Sequence, residues 1–301
     1  ESSAASDLYK RQASMSISTN FSRLPNMPIT SAVLTQLAEQ HYHAYLSAEQ
    51  VKTLCEQFQL SQIDFALACL PVAACYSKAP ISEFYVGAIA IGESGNFYFG
   101  ANQEFESVSI GQTVHAEQSA LMHAWQMGEK HITDVVVNYT PCGHCRQFMN
   151  ELNSAPTLRI HLPHSQNNAL HSYLPDAFGP RNLNIIDCLF DGPTQTTQPA
   201  NLTEAAIEAA RSSYAPYSHL QSAVALQAGE RIITGRYAEN AAFNPSMLPL
   251  QNALNFYRLQ GKTAPISRVV LAENQSKLST KESTFALVKA ELGLDAEYIT
   301  F

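Results

Sequence analysis

Two short runs constrain this chain more than anything else in it: His115-Ala116-Glu117 and, further on, Thr140-Pro141-Cys142-Gly143-His144-Cys145. A catalytic zinc takes three protein ligands, usually drawn from His and Cys, and keeps a fourth position for water. His115, Cys142 and Cys145 supply such a set, provided the fold brings them together. Cys142 and Cys145 stand at i and i+3, so at the head of a helix both sulfurs lie on one face. Thr140 and Pro141 read as that helix start, because proline is tolerated in a first turn whose amides have no intrahelical partner. The positive end of the helix stabilises thiolates, and Arg146 is placed to hydrogen-bond one sulfur.

His115 and Glu117 stand at i and i+2, which points their side chains apart in mid-helix, so they converge only at a helix end. Val114 to Gly128 provides one. Ala120, Leu121, Ala124, Trp125 and Met127 make a helical apolar stripe, and Gly128 is the stop. A metal is therefore expected between two helix N-termini, where the ionisation of its water moves toward neutral pH. Glu117 is not needed as a ligand and is free to move protons.

At 301 residues and 46% hydrophobic content the chain is long enough for two domains. A formal charge of −8 argues against a nucleic-acid partner, since such binding rests on neutralising phosphates with Lys and Arg; a small substrate fits better. No run of about 18 apolar residues and no leader-like start is found, so a cytoplasmic protein without membrane contact is expected. Cys55, Cys69, Cys75 and Cys188 show no paired spacing and read as buried free thiols.

In chain order, residues 1 to about 18 are Ser/Ala-rich and aperiodic and are expected to be a mobile end without function. Ile29 to about Gln59 is helical, with Ser47 and Gln50 forming a capping box. His41 and His43 lack acidic or thiol neighbours and read as surface or packing residues. Ser61 to Ala79 reads as a buried helix, Tyr85–Ile91 and Asn96–Gly100 as a hairpin turning at Gly95-Asn96. The His115 helix, a strand at Asp134–Tyr139, the Cys142 helix and a strand at Leu158–Leu162 follow. Strands alternating with helices imply a layered α/β domain with a mixed sheet.

This divides the chain into an N-terminal tail and helical segment (1–60), a zinc domain (61–162), a Pro/Asn/Gln/Thr-rich crossover (163–201) and a second domain (202–301). The second domain echoes the first. Ala210–Ser222 echoes Ala74–Phe84, Ser222–Ala228 and Arg231–Arg236 echo the hairpin, Met247–Gly261 the His115 helix and Ser267–Ala272 the strand after it. At the active positions it has Leu248-Pro249-Leu250-Gln251 and Glu273-Asn274-Gln275-Ser276, so it cannot hold this zinc. A packing or dimerisation role is expected of it.

Neither His-x-Glu nor Cys-x-x-Cys is diagnostic alone, and a lone Cys-x-x-Cys more often marks a redox or structural site. Together and in this order they match the His-x-Glu…Pro-Cys-x-x-Cys pattern of the zinc deaminases of nucleobases. The chain resembles the cytidine deaminases, in their two-domain homodimeric bacterial form. Ala79–Phe84, Phe99–Phe105, Thr113–Ala120, Asn138–Leu152 and Ala238–Pro245 carry the resemblance.

It implies a three-layer α/β/α domain with a central mixed sheet, duplicated as a degenerate C-terminal copy. It further implies hydrolytic deamination of cytidine and deoxycytidine in pyrimidine salvage, with one zinc per chain on His115, Cys142 and Cys145. Glu117 is implied to carry protons from water to ring N3 and to the departing amine. Asn102 and Glu104 match the family's ribose contacts and Phe84 the aromatic face against the pyrimidine; Gln103, Ala116 and the Thr140 carbonyl complete the substrate set. The resemblance also implies a homodimer in which each degenerate domain sits against the partner's working site, with Phe178 and Phe243 near it.

Taken alone, Asn102 and Glu104 read as groups that cap their own loop, Phe84 as core, and His123, His131 and His144 as structural or surface residues. A deoxycytidylate-type deaminase and a noncatalytic zinc scaffold are the alternatives. Glu104 beside the sugar disfavours the first; Glu117, which a purely structural site does not need, disfavours the second.

Overall fold

A computed structural model describes residues 17–194, 199–261 and 263–301, so the expectation for the chain's start lies outside the described residues in all but its last two positions. The first part of the chain forms α1 (Ile17–Phe21), α2 (Pro28–Glu39), β1 (Tyr45–Leu46), α3 (Ala48–Phe58), α4 (Gln62–Ala74), β2 (Gly87–Gly92), β3 (Phe97–Ala101), α5 (Ala116–Gln126), β4 (Ile132–Val137), α6 (Gly143–Met149), β5 (Arg159–Leu162), β6 (Ser165–Ala169) and α7 (Leu170–Tyr173). The second forms α8 (Leu202–Arg211), β7 (Ser222–Ala228), β8 (Arg231–Arg236), α9 (Pro249–Leu259), β9 (Ile266–Glu273), α10 (Lys281–Leu292) and β10 (Glu297–Thr300).

Local chemistry sets many of these boundaries. Ser47 accepts the Gln50 amide while the Gln50 side chain accepts the Ser47 amide, which is the capping box expected at the head of α3. Ser61 and Asn201 cap α4 and α8 through the Asp64 and Glu204 amides. Gly128 follows α5 at φ +86°, a left-handed turn that glycine adopts without steric cost.

The strands form two sheets, of order β1-β3-β2-β4-β5-β6 and β10-β9-β7-β8. In the first, β2 runs antiparallel to β3 and β4, and β4 parallel to β5. In the second, β7 runs antiparallel to β8 and β9, and β9 parallel to β10. The order β3-β2-β4-β5 thus recurs as β8-β7-β9-β10, and the duplication is a duplication of topology. Both copies are mixed sheets with helices, of the α/β class expected.

Strand alternation sorts the core into three layers. Ile89, Ile91 and Val136 turn to α4, where they meet Phe65 and Leu70. Ala88, Ala90, Val135 and Val137 turn the other way, into a layer that also takes Leu121 of α5, Phe148 of α6, Leu250 of α9, Leu287 of α10, and Val224, Leu226, Val269 and Leu271 of the second sheet. The remaining face of the second sheet, Ala223, Ala225, Val270 and Ala272, packs on Ala205, Ala206 and Ala209 of α8. The middle layer belongs to both copies. Within it the Ser119 hydroxyl of α5 donates to Asn255 Oδ1 of α9, and Asn255 Nδ2 donates back to the Ser119 carbonyl at 3.1 Å.

Three strands have no counterpart in the sequence reading. β6 falls in the stretch expected as a connector and pairs antiparallel with β5 at the sheet edge. Ser165-Gln166-Asn167-Asn168-Ala169 has neither apolar alternation nor β-branched residues, so main-chain pairing at the edge decides it. β1 and β10 are likewise short edge strands. His43 and His123, expected to be packing or surface residues, pair with His43 half-buried and His123 buried: their Nε2 atoms lie 3.0 Å apart and His123 Nδ1 is 2.8 Å from the Phe99 carbonyl.

Helices α5 and α9 press against their sheets at two glycines. A Cβ on Gly100 would stand 2.1 Å from the Ala120 nitrogen, and one on Gly235 2.1 Å from the Ala253 nitrogen. Overpacking of this kind costs about 1–3 kcal/mol. Gly100→Ala is accordingly expected to lower stability by about 2 kcal/mol or more in urea unfolding followed by circular dichroism, with a matching loss for Gly235→Ala.

Candidate metal centre

The ends of α5 and α6 meet at the rim of the first sheet. His115 is the N-cap of α5 and Cys142 the N-cap of α6, both in extended backbone, and Cys145 lies in the first turn of α6. This placement lets residues in extended segments and in helical first turns converge. The ligand atoms of His115, Cys142 and Cys145 lie within 4.8 Å of one another, the one group of this kind among the described residues. His115 Nδ1 is 3.4 Å from Cys142 Sγ, and the Cys145 thiol donates to Glu117 Oε2 at 3.4 Å. Cys145 and Glu117 are buried while Cys142 is exposed, so the group opens to solvent on the Cys142 side.

One imidazole nitrogen and two sulfurs, with no fourth donor in the group among the described residues, suit a zinc that keeps an open position. The protein's own electrostatics prepare the set. Hydrogen bonding from Cys145, then from His115, holds the Cys142 thiol down at about 3. Donating that hydrogen bond, together with burial, pushes Cys145 well above the usual thiol range. Hydrogen bonding to Cys142 raises His115. Burial raises Glu117, so this carboxyl is shifted toward the pH range in which it can both take and give a proton.

The substrate-side residues gather around one loop. The Phe84 and Tyr139 rings lie 4.5 Å apart, and Thr140 follows Tyr139 on the way to Cys142. Asn102 Oδ1 accepts the Val86 amide at 2.9 Å, and its Nδ2 donates to the Phe84 carbonyl at 2.8 Å. Glu104 Oε2 accepts the Ile81 and Ser82 amides at 2.9 and 3.0 Å, and its other oxygen accepts the Ser82 hydroxyl. Asn102 and Glu104 thus both clamp the 81–86 loop. Gln103 between them pairs through its main chain with Val114, next to His115. Ala116 is buried at the first position of α5.

One reading changes. Arg146 does not reach a sulfur: its guanidinium donates to the carbonyls of Pro141 and Tyr173, at 2.7 and 2.9 Å, and to the Thr140 hydroxyl at 3.5 Å. A planar fork of donors is better matched by carbonyl oxygens held in a fixed turn than by a sulfur. His144, read as a structural or surface residue, packs its ring 4.9 Å from that of His115. Tyr139 and Ser82 lie in the runs that carry the resemblance but are given no role by the sequence. A further signal for Ser82 is its echo in Ser218, whose hydroxyl and amide bind Glu239 as those of Ser82 bind Glu104.

Two family profiles, each described as the cytidine and deoxycytidylate deaminase zinc-binding region, match residues 60–159 and 170–285. A cytidine deaminase of Actinobacillus pleuropneumoniae serotype 5b is 64% identical over 277 residues, covering 91% of this chain and 93% of that one. The chain belongs to the cytidine deaminase family. A cytidine deaminase of Mannheimia succiniciproducens is 62% identical over 275 residues, 89% of this chain and 92% of the other. One of Haemophilus influenzae is 50% identical, over 90% and 94%.

Zinc is the cofactor that the matched family regions and the His/Cys/Cys group together support. The second cytidine deaminase domain keeps the frame without the donors. Leu248 caps α9 where His115 caps α5, and Gln251 accepts the Leu248 amide as Gln118 accepts that of His115.

Because Cys145 keeps its proton and must lose it to bind metal, zinc affinity is expected to rise with pH as that proton is released. Competition with a colorimetric chelator at pH 6 and pH 8 checks this. Cys145→Ser is expected to abolish stoichiometric zinc in metal analysis.

Proposed function

We propose that the chain is a zinc-dependent hydrolase that converts cytidine and deoxycytidine to uridine and deoxyuridine with release of ammonia. The observation that carries this is a buried carboxyl, Glu117, lying against a three-donor metal group that is open on one side. Relatives at 50–64% identity that carry the name cytidine deaminase support it.

His115, Cys142 and Cys145 would hold the zinc. Bound there, zinc supplies the Lewis acidity that brings the ionisation of water toward neutral pH. Glu117 does the proton work. It takes one proton from the water whose oxygen bonds to C4 and places it on ring N3, then takes the second from the C4 hydroxyl and delivers it to the amine as the C4–N bond breaks, so that C4 becomes a carbonyl and ammonia leaves neutral. Burial raises its pKa above the usual carboxylate value, which suits a group that both accepts and donates protons.

Phe84, its ring tilted against that of Tyr139, offers an aromatic face to the pyrimidine. Asn102 and Glu104 are assigned to the sugar hydroxyls, since both have acceptor capacity beyond the loop amides they hold. Gln103 and Ala116 set the main chain beside them, and the Thr140 carbonyl faces the departing ammonia. A carboxylate at the sugar end favours a nucleoside over its phosphate.

We assign the working form to a homodimer in the cytoplasm. Phe84, Tyr139, Phe178 and Phe243 are each 45–56% exposed, an unusual run of open aromatics that a second chain would cover. All six cysteines are free, as suits a reducing compartment.

Glu117→Gln is expected to lower kcat on cytidine by at least about 10²-fold while zinc content and melting temperature hold, as befits loss of a general acid–base. Unchanged turnover, followed by absorbance of the pyrimidine, would remove Glu117 from the chemistry. Sedimentation analysis is expected to show a dimer, and full activity in a stable monomer would overturn that assignment.

A further inference from the structure

The second domain holds three consecutive residues of the first, Tyr76, Ser77 and Lys78, at the entry to the substrate loop. Arg258 on α9 donates through Nε to the Tyr76 carbonyl and through Nη2 to the Ser77 carbonyl, the latter at 2.8 Å. Glu291 on α10 pairs with the Lys78 ammonium; the two side chains are 21% and 6% exposed. The Lys78 Nζ also lies 4.8 Å from the centre of the Phe105 ring.

Lys78 in turn is laced into the segment that bears Asn102 and Glu104. Its amide donates to the Asn102 carbonyl at 2.9 Å, and its carbonyl accepts the Glu104 amide at 2.8 Å. Three residues on, Glu104 holds the Ile81 and Ser82 amides. A displacement of Lys78 therefore moves both walls of the loop, because main-chain bonds join them on either side of it.

The degenerate copy shows the same arrangement with the charge removed. Tyr214 pairs with Ala238 as Lys78 pairs with Gln103. Its hydroxyl donates to Glu151 just past α6 at 3.2 Å, so each domain sends a carboxylate to the loop entry of the other. Only on the working side is that contact an ion pair. A largely buried ion pair is a costly way to stabilise an interface but a directional way to fix one.

We propose that Glu291 and Arg258 are positioning residues for the sugar-contacting segment: the second domain, which binds no metal itself, holds Lys78, and through it Asn102 and Glu104, in register with the metal centre of its own chain. The kinetic consequence rests on the nucleoside reading above; the mechanical one does not.

The test uses the full zinc-loaded chain with Glu291→Gln, Glu291→Asp and Arg258→Met, each checked for zinc content and melting temperature. Amide exchange read by mass spectrometry over residues 78–86 is expected to quicken in Glu291→Gln and to recover partly in Glu291→Asp. The KM for cytidine is expected to rise about tenfold with kcat within about twofold, while 2′,3′-dideoxycytidine, which lacks the hydroxyls, changes by no more than about twofold.

Unchanged exchange in Glu291→Gln overturns the proposal, as does an equal loss on both substrates. If Arg258→Met does not fold, Glu291→Gln decides alone. If the wild-type chain turns over neither nucleoside, the functional reading falls and the exchange arm still decides the positioning.

Discussion

Helices α5 and α9 lie between two sheets, each of which turns an apolar face toward them, and they are joined to one another by the Ser119 and Asn255 side chains. Burial of those faces is the largest favourable term available, at roughly 25 cal/mol per Å² of apolar surface. It requires each helix to press on its own sheet, which Gly100 and Gly235 permit. Once α5 is seated so, its N-cap lies at the rim of the sheet beside that of α6. The metal group is thus a by-product of where two helix starts must fall.

The same constraint explains a copy without a metal. The second domain supplies a large part of the middle layer, so its fold is retained by packing whatever stands at its helix caps. At the head of α10 it places a buried carboxylate: Glu273 accepts the Thr280 amide and hydroxyl at 2.9 Å each, along with the hydroxyls of Ser222, Ser279 and Tyr298. In the working copy the thiol pair stands at the corresponding helix start. A helix start carries unsatisfied amides and positive potential, and both copies answer it with an acidic group. Only one of those answers also holds zinc.

Much of this was legible in the chain. His115, Glu117, Cys142 and Cys145 sit in two contiguous runs beside helix-start residues, and catalytic zinc chemistry asks for those types at those spacings. Ser47 with Gln50 and Gly128 marked helix ends because caps are local interactions, satisfied within a few residues. The hairpins and the repeat were readable from alternation, since each of those strands is buried on both faces or on one. Edge strands β1, β6 and β10 were not, because they are held by main-chain pairing that any polar sequence can make.

The sequence by itself determined the chemistry of the centre and the existence of a copy unable to share it, because both depend on residue types in short runs. Tertiary structure alone decided what surrounds them. That Arg146 turns to carbonyls, that Asn102 and Glu104 grip the 81–86 loop, and that Arg258 and Glu291 reach Tyr76, Ser77 and Lys78 are contacts between residues far apart in the chain. Their partners are chosen by the packing of two sheets on a common layer of helices. No local spacing records that choice, since it is the closeness in space of distant segments, and not their composition, that satisfies each donor.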